Sequence, residues 1–151
     1  MYEALYFEDV YVGQRFESAR RLISKDEIKR FAAEFDPQPF HLDEAAAEKS
    51  LFGALAASGW HTAALTMRLL VDSSAPMSGG VVGAGIEITW KRPVRPGDEL
   101  HVVSEVLALR ESRSKPDRGI ITVRCETRNQ RGETVQVLTA QVVAPRRETK
   151  G

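Results

Sequence analysis

Cysteine is all but missing from this chain. Cys125 stands alone, which excludes an intrachain disulfide and any cysteine cluster for a metal, and leaves a buried, inert thiol on a strand as its expected role. Long apolar runs are missing too. No stretch approaches the ~20 residues needed to cross a bilayer, and the opening Met1-Tyr2-Glu3-Ala4-Leu5-Tyr6-Phe7-Glu8 is acidic and short of apolar residues, so the chain reads as soluble, intracellular and cytoplasmic. Charge of one sign is also lacking. With 21 Lys+Arg against 21 Asp+Glu and a formal net charge of zero, the usual electrostatic signature of a nucleic-acid or anionic-membrane binder is absent. No Gly/Ser- or Pro-rich linker divides the 151 residues. One domain, 1–151, is expected, large enough to bury about two thirds of the surface its unfolded form exposes.

Helical signals fill the first half and strand signals the second, an α+β pattern. Ser24-Lys25-Asp26-Glu27 fits a capping box, and Ile28, Phe31, Ala32 and Phe35 form an apolar stripe that stops at Asp36-Pro37. Asp43 is placed to cap a short helix from Glu44 to about Ser50. Ser58-Gly59 opens the most apolar helix. Trp60, Ala63, Ala64, Met67, Leu70 and Val71 line one of its faces and Leu65 and Leu69 the other, as expected for a helix buried nearly all round. It should run to about Ser73 and end by Pro76 and Gly79-Gly80.

Four strands should follow. Ile86, Ile88 and Trp90 alternate with Glu87, Thr89 and Lys91 in a strand with one wet face that stops at Pro93, and Leu100–Leu109 begins after Pro96-Gly97-Asp98. A polar loop, Ser112–Gly119, leads to a second hairpin, Ile120–Arg128 and Thr134–Val143, turning at Asn129-Gln130-Arg131-Gly132. A fifth strand from the N-terminal segment is possible, and the tail Arg146–Gly151 has nothing to bury, so it should fray. A sheet of this size leaves an edge. Pairing that edge with a second copy removes the liability, so a homodimer is expected.

The chemistry-bearing run is Asp36-Pro37-Gln38-Pro39-Phe40-His41. Each proline fixes its own φ and pushes the preceding residue out of the helical region. Asp36 and Gln38 should therefore be extended, holding an acid and a base stiffly enough to share one water. The same residues also fit a plain helix exit followed by a helix cap.

Phe35-Asp36-Pro37-Gln38-Pro39-Phe40-His41-Leu42-Asp43, then Ala57-Ser58-Gly59-Trp60, then Lys91-Arg92-Pro93-Val94-Arg95-Pro96-Gly97-Asp98 together resemble the MaoC-like dehydratases, which include the (R)-specific enoyl-CoA hydratases. The resemblance runs from Val12-Gly13-Gln14 to the last strand. It implies the hotdog fold, a curved antiparallel sheet around a central helix, in dimers with each active site at the interface. It implies an acyl-CoA substrate, no cofactor beyond the coenzyme A of that substrate, and no metal. The family's catalytic acid and base fall on Asp36 and His41, and its oxyanion donor on the backbone N–H of Gly59 at the helix N-terminus. A water held by both side chains would add syn, giving an (R)-3-hydroxyacyl thioester.

One position departs from the family's pattern. The better-known hydratases carry a serine further down the buried helix that steadies the carboxylate, and the residue eight positions after Gly59 is Met67. Either something else orients Asp36, such as Gln38 or Ser58, or activity toward simple enoyl thioesters is reduced. Trp60 is placed to shape the acyl site, and Lys91, Arg92 and Arg95 to meet the phosphates of coenzyme A, a role the loop Arg110–Arg118 would fill equally well. His61 is expected to be structural and His101 a surface or interface residue. The hotdog fold also hosts thioesterases and non-catalytic acyl-CoA-binding proteins. Those are the two rival readings.

Overall fold

The hydroxyl of Ser24 accepts from the Glu27 N–H at 3.1 Å while Glu27 reaches back to the Ser24 N–H, and the capping box starts α1, Lys25–Phe35. In the computed structural model, which describes residues 5–73 and 82–147, α1 leads through two short helices, α2 (Pro39–Leu42) and α3 (Glu44–Glu48), to the long α4, Gly59–Ser73. The Asp43 carboxylate caps α3 by accepting from Ala46 N–H at 3.0 Å. Pro39 occupies the first position of α2, where its missing N–H costs nothing. The expected terminator of α4, Pro76 with Gly79-Gly80, lies outside the described residues.

Six antiparallel strands follow or flank these helices. The long ones are β3 (Val82–Trp90), β4 (Glu99–Glu111), β5 (Arg118–Arg128) and β6 (Thr134–Pro145), and two short ones precede α1, β1 (Arg15–Glu17) and β2 (Arg21–Leu22). The order is β1-β4-β5-β6-β3, with β2 also paired to β4. Register shifts at Gly83/Gly85, Val106/Ala108 and Thr127/Arg128 mark irregularities of the kind that bend strands. This is the α+β hotdog architecture, with one more N-terminal strand than the sequence suggests.

α4 bridges two apolar clusters. Leu65 enters one with Ile23, Ile28, Leu100 and Val135, and Leu69 enters the other with Phe7, Val106, Leu138 and Val142. Between them lies a polar belt. Thr66 Oγ1 meets Thr127 Oγ1 at 2.6 Å and accepts from Gln136 Nε2 at 3.0 Å, and all three residues are fully buried. Cys125 is a buried free thiol beside Ser104, its pKa pushed up by burial.

Three expectations need correction. α4 is not buried all round: His61, Thr62, Leu65, Thr66 and Leu69 are buried, whereas Trp60, Ala64, Met67 and Val71 are exposed in this chain. The start of the tail does not fray. Arg146 bonds Glu8 at 3.0 Å and Arg147 bonds Asp9 at 2.7 Å, pinning the end of β6 to the 3₁₀ turn Phe7–Asp9; Glu148–Gly151 lie outside the described residues. His101 is buried, 7% exposed, rather than on the surface, with its Nε2 3.8 Å from the Glu17 carboxylate. Its Nδ1 has no partner, and burial holds the imidazole pKa below its ordinary value.

Candidate active site

Asp36 closes α1, its N–H donating to Ala32 O at 2.8 Å, with φ −150° and ψ 67°. It is non-helical, as a residue before proline must be, although less extended than Gln38 at ψ 145°. The Pro37-Gln38-Pro39 turn then starts α2 and carries His41 back over the carboxylate. His41 Nε2 lies 3.4 Å from Asp36 Oδ2, with the two side chains 5% and 16% exposed.

Each group is held from behind. The Asp36 carboxylate accepts from Ser58 Oγ at 2.7 Å and from Gln38 Nε2 at 2.5 Å. Burial would push its pKa up, but these two bonds and the neighbouring imidazole outweigh burial and hold it below the usual value. The imidazole Nδ1 lies 2.6 Å from the Ala56 carbonyl. Because a carbonyl only accepts, Nδ1 carries the hydrogen, and in the neutral ring Nε2 is the bare acceptor facing Asp36. Phe40 packs edge-on against the imidazole at 4.6 Å and Phe52 lies at 5.9 Å.

Ser58 belongs to the other side of the site. Its hydroxyl accepts from Trp60 N–H at 3.2 Å while its carbonyl accepts from His61 and Thr62 N–H, so the residue that orients Asp36 also caps α4. The next N–H, that of Gly59, has no recorded acceptor among the described residues. Glycine is required there. A Cβ would stand 2.5 Å from Cε2 of Trp90.

A pocket of about 420 Å³ collects Asp36, Gln38, His41, Gly59, Trp60 and Arg92, with Trp90 and Lys91 beside them. Seven of the eight site residues expected from sequence are thus in the pocket or, like Ser58, bonded directly behind it. Arg95 is not. Its guanidinium donates to the carbonyls of Phe52, Ala54 and Leu55 at 2.5–3.3 Å, a clasp on the loop before α4. Arg92 faces Glu133 at 3.2 Å. Met67 lines a separate apolar cavity with Leu70, Ile86 and Leu138, so of the two outcomes expected at this departure, orientation of Asp36 by Ser58 and Gln38 is the one observed. His61 stacks on Phe31 at 4.6 Å in a different, charged pocket with Arg21 and Glu27, in keeping with a structural role.

Sequence reasoning missed Trp90 and Gln136. Trp90 sits immediately before the Lys91–Asp98 motif, which was its available signal. Gln136 offered none, as one of several polar residues of its strand, with Thr134, Thr139 and Gln141.

An antiparallel sheet packed on one long helix, with an acid–imidazole pair beside that helix's N-terminus, defines a hotdog protein with a polar reaction site. The chain belongs to the MaoC-like domain family, which it matches over residues 9–129. A solved MaoC-like dehydratase from Rhodospirillum rubrum is 60% identical, with a TM-score of 0.94, covering 97% of this chain and 100% of that one. Among curated relatives, the uncharacterized protein YdeM of Bacillus subtilis is 39% identical over 82% of this chain and 87% of its own. The 3-hydroxybutyryl-CoA dehydratase of Methylorubrum extorquens is 36% identical over 70% of this chain and 66% of its own length.

Proposed function

We propose that this protein is a cytoplasmic hydratase/dehydratase that adds water reversibly across the 2,3-double bond of an enoyl-CoA, giving an (R)-3-hydroxyacyl thioester. The observation that carries this reading is the 3.4 Å approach of Asp36 Oδ2 and His41 Nε2. Both atoms present acceptor lone pairs to the same pocket, and one water oxygen can lie within hydrogen-bond reach of both. The 3-hydroxybutyryl-CoA dehydratase among the relatives supports a coenzyme A thioester as substrate.

In the forward direction the water oxygen bonds to the β-carbon as one of its protons passes to the Asp36–His41 pair. Electron density moves onto the thioester oxygen, where the Gly59 N–H and the N-terminus of α4 stabilise it. It returns as the α-carbon takes a proton from the pair on the same face, which gives syn addition. Asp36, ionised by the bonds from Ser58 and Gln38, is the base. His41 orients the water and shuttles the proton. The reaction is redox-neutral and draws on no cofactor beyond the coenzyme A of the substrate.

The active form is a homodimer. Trp60, Met67 and Val71 on α4 and Val82, Ile86 and Trp90 on the edge strand β3 are large, apolar and exposed in one chain. Two of them, Trp60 and Trp90, line the pocket, so a second copy seated there would also wall the active site.

Purified protein with crotonyl-CoA, followed by enoyl-thioester absorbance and free-thiol release in parallel, tests the reading. Loss of absorbance without thiol is expected, reduced at least about 100-fold in Asp36→Asn and His41→Ala with folding unchanged. Thiol release would replace the hydratase with a thioesterase. No change with crotonyl-CoA or longer enoyl-CoA substrates would overturn the enzyme reading.

A further inference from the structure

We propose that Trp90, locked by a buried polar strut running through Gln136, Thr66 and Thr127, is a positioning residue that sets the Gly59 N–H. The proposal rests on the assignment of Gly59 as oxyanion donor. The indole lies against Gly59 so closely that Cε2, Cδ2 and Cζ2 come within 2.8 Å of where a Cβ would stand. The ring therefore fixes the height of the helix N-terminus in the pocket. It does not fix itself, since Trp90 is 44% exposed at the end of an edge strand.

What holds the ring is a chain of hydrogen bonds whose polarity is fixed from the indole to Thr66. The indole N–H only donates, so Gln136 Oε1, at 3.0 Å, must be its acceptor, which turns Gln136 Nε2 toward Thr66 Oγ1, also at 3.0 Å. Thr66 Oγ1 lies 2.9 Å from the Thr62 carbonyl and 2.6 Å from Thr127 Oγ1, and its one hydrogen serves one of the two while its lone pairs accept from Gln136. Gln136, Thr66 and Thr127 are fully buried. Thr62 is in the first turn of α4, with its N–H on the Ser58 carbonyl. The first turn is thus braced on one side by the indole against Gly59 and on the other by Thr66 beneath Thr62. Four elements, β3, β5, β6 and α4, meet in one network, and such buried networks are costly to break in part.

The test compares Thr66→Val, Gln136→Leu and Trp90→Phe with the conservative Thr66→Ser in crotonyl-CoA hydration, thermal unfolding and the amide spectrum of ¹⁵N-labelled protein. We expect Thr66→Val, Gln136→Leu and Trp90→Phe to lower kcat roughly tenfold with KM changed less than about threefold, part of the 10²–10³ that losing an oxyanion donor costs. Thr66→Ser should restore near-wild-type kcat. The Gly59 amide resonance should move in the first three variants and stay in place in the fourth, and Trp90→Phe/Gln136→Leu should be no slower than Trp90→Phe. Unchanged kcat with an unmoved Gly59 resonance overturns the proposal, as does a loss that follows melting temperature in every variant, Thr66→Ser included. If Thr66→Val fails to fold, Trp90→Phe, altered at a partly exposed ring, decides. If the wild type hydrates neither crotonyl-CoA nor a longer enoyl-CoA, the enzyme reading fails and the Gly59 resonance alone decides the strut.

Discussion

Ser58 does two jobs with one hydroxyl: its hydrogen goes to Asp36 Oδ2 and its lone pair takes the Trp60 N–H. Removing it should act on both. In Ser58→Ala the carboxylate loses a donor that holds its pKa down, so the acid limb of the kcat/KM profile should move to higher pH and kcat should fall about tenfold; a pH–rate series on the two proteins checks this. The sign follows from linkage. A carboxyl whose folded pKa is depressed stabilises the fold above its unfolded pKa and loses that contribution as pH falls through the folded value, so Ser58→Ala should also show a smaller loss of stability on acidification. At this scale much of the site was legible. Asp36, His41 and Gly59 are unusual residues in a proline-stiffened or helix-opening context, and such context is local. Trp90 and Gln136 were not legible as site residues, because their role exists only once β3 and β6 pair and bring Trp90 Nε1 to Gln136.

Elements were read well where their ends are written locally and less well where their faces depend on neighbours. The Ser24 box and the Asp43 cap lie where the sequence puts them, whereas the helical turn Pro39–Leu42 falls inside the run read as a stiff loop. The turn before β4 follows too: Gly97 adopts φ 87°, and Asp98 Oδ2 accepts from Arg95 N–H at 2.9 Å. Arg95 shows the limit of such reading. A cation beside a pocket suggests a phosphate ligand, yet its reach of several methylenes takes it to three carbonyls of the loop that carries Phe52. Arg95→Ala should therefore cost about 1–3 kcal/mol in urea unfolding, from carbonyls left without their donor, rather than raise KM selectively. Gly119 gives a second test of packing between elements. A Cβ there would drive into the Phe7 ring, so Gly119→Ala should destabilise by about 1–3 kcal/mol, seen as a lower melting temperature, and should leave kcat nearly intact.

For the molecule as a whole, the outstanding feature is an apolar surface shared by α4 and β3 that stays exposed. Among the described residues β3 pairs only with β6, and Val82, Ile86 and Trp90 are exposed on it. Edge pairing with a second copy would bury this surface. Ile86→Arg should then yield a monomer by analytical ultracentrifugation, with activity lost although Asp36 and His41 are untouched; a dimer of full activity would place the interface elsewhere. The sequence pattern of α4, apolar on both faces, is explained in the same way. One face packs on its own sheet, and the other belongs to the surface that the proposed homodimer would bury.

The sequence by itself determined the helix caps, the α+β class and the stiff Asp36–His41 run and helix-opening Gly59. All are set by interactions within a few residues: caps, prolines, and the spacing of apolar side chains. Only the tertiary structure decided which face of α4 meets the sheet, that Ser58 stands in for the missing serine, that Arg95 is a clasp, and that Trp90 is locked against Gly59. Each of these joins residues more than twenty positions apart in the chain, and such contacts are selected by how a sheet and helix fill a common core rather than by any local preference.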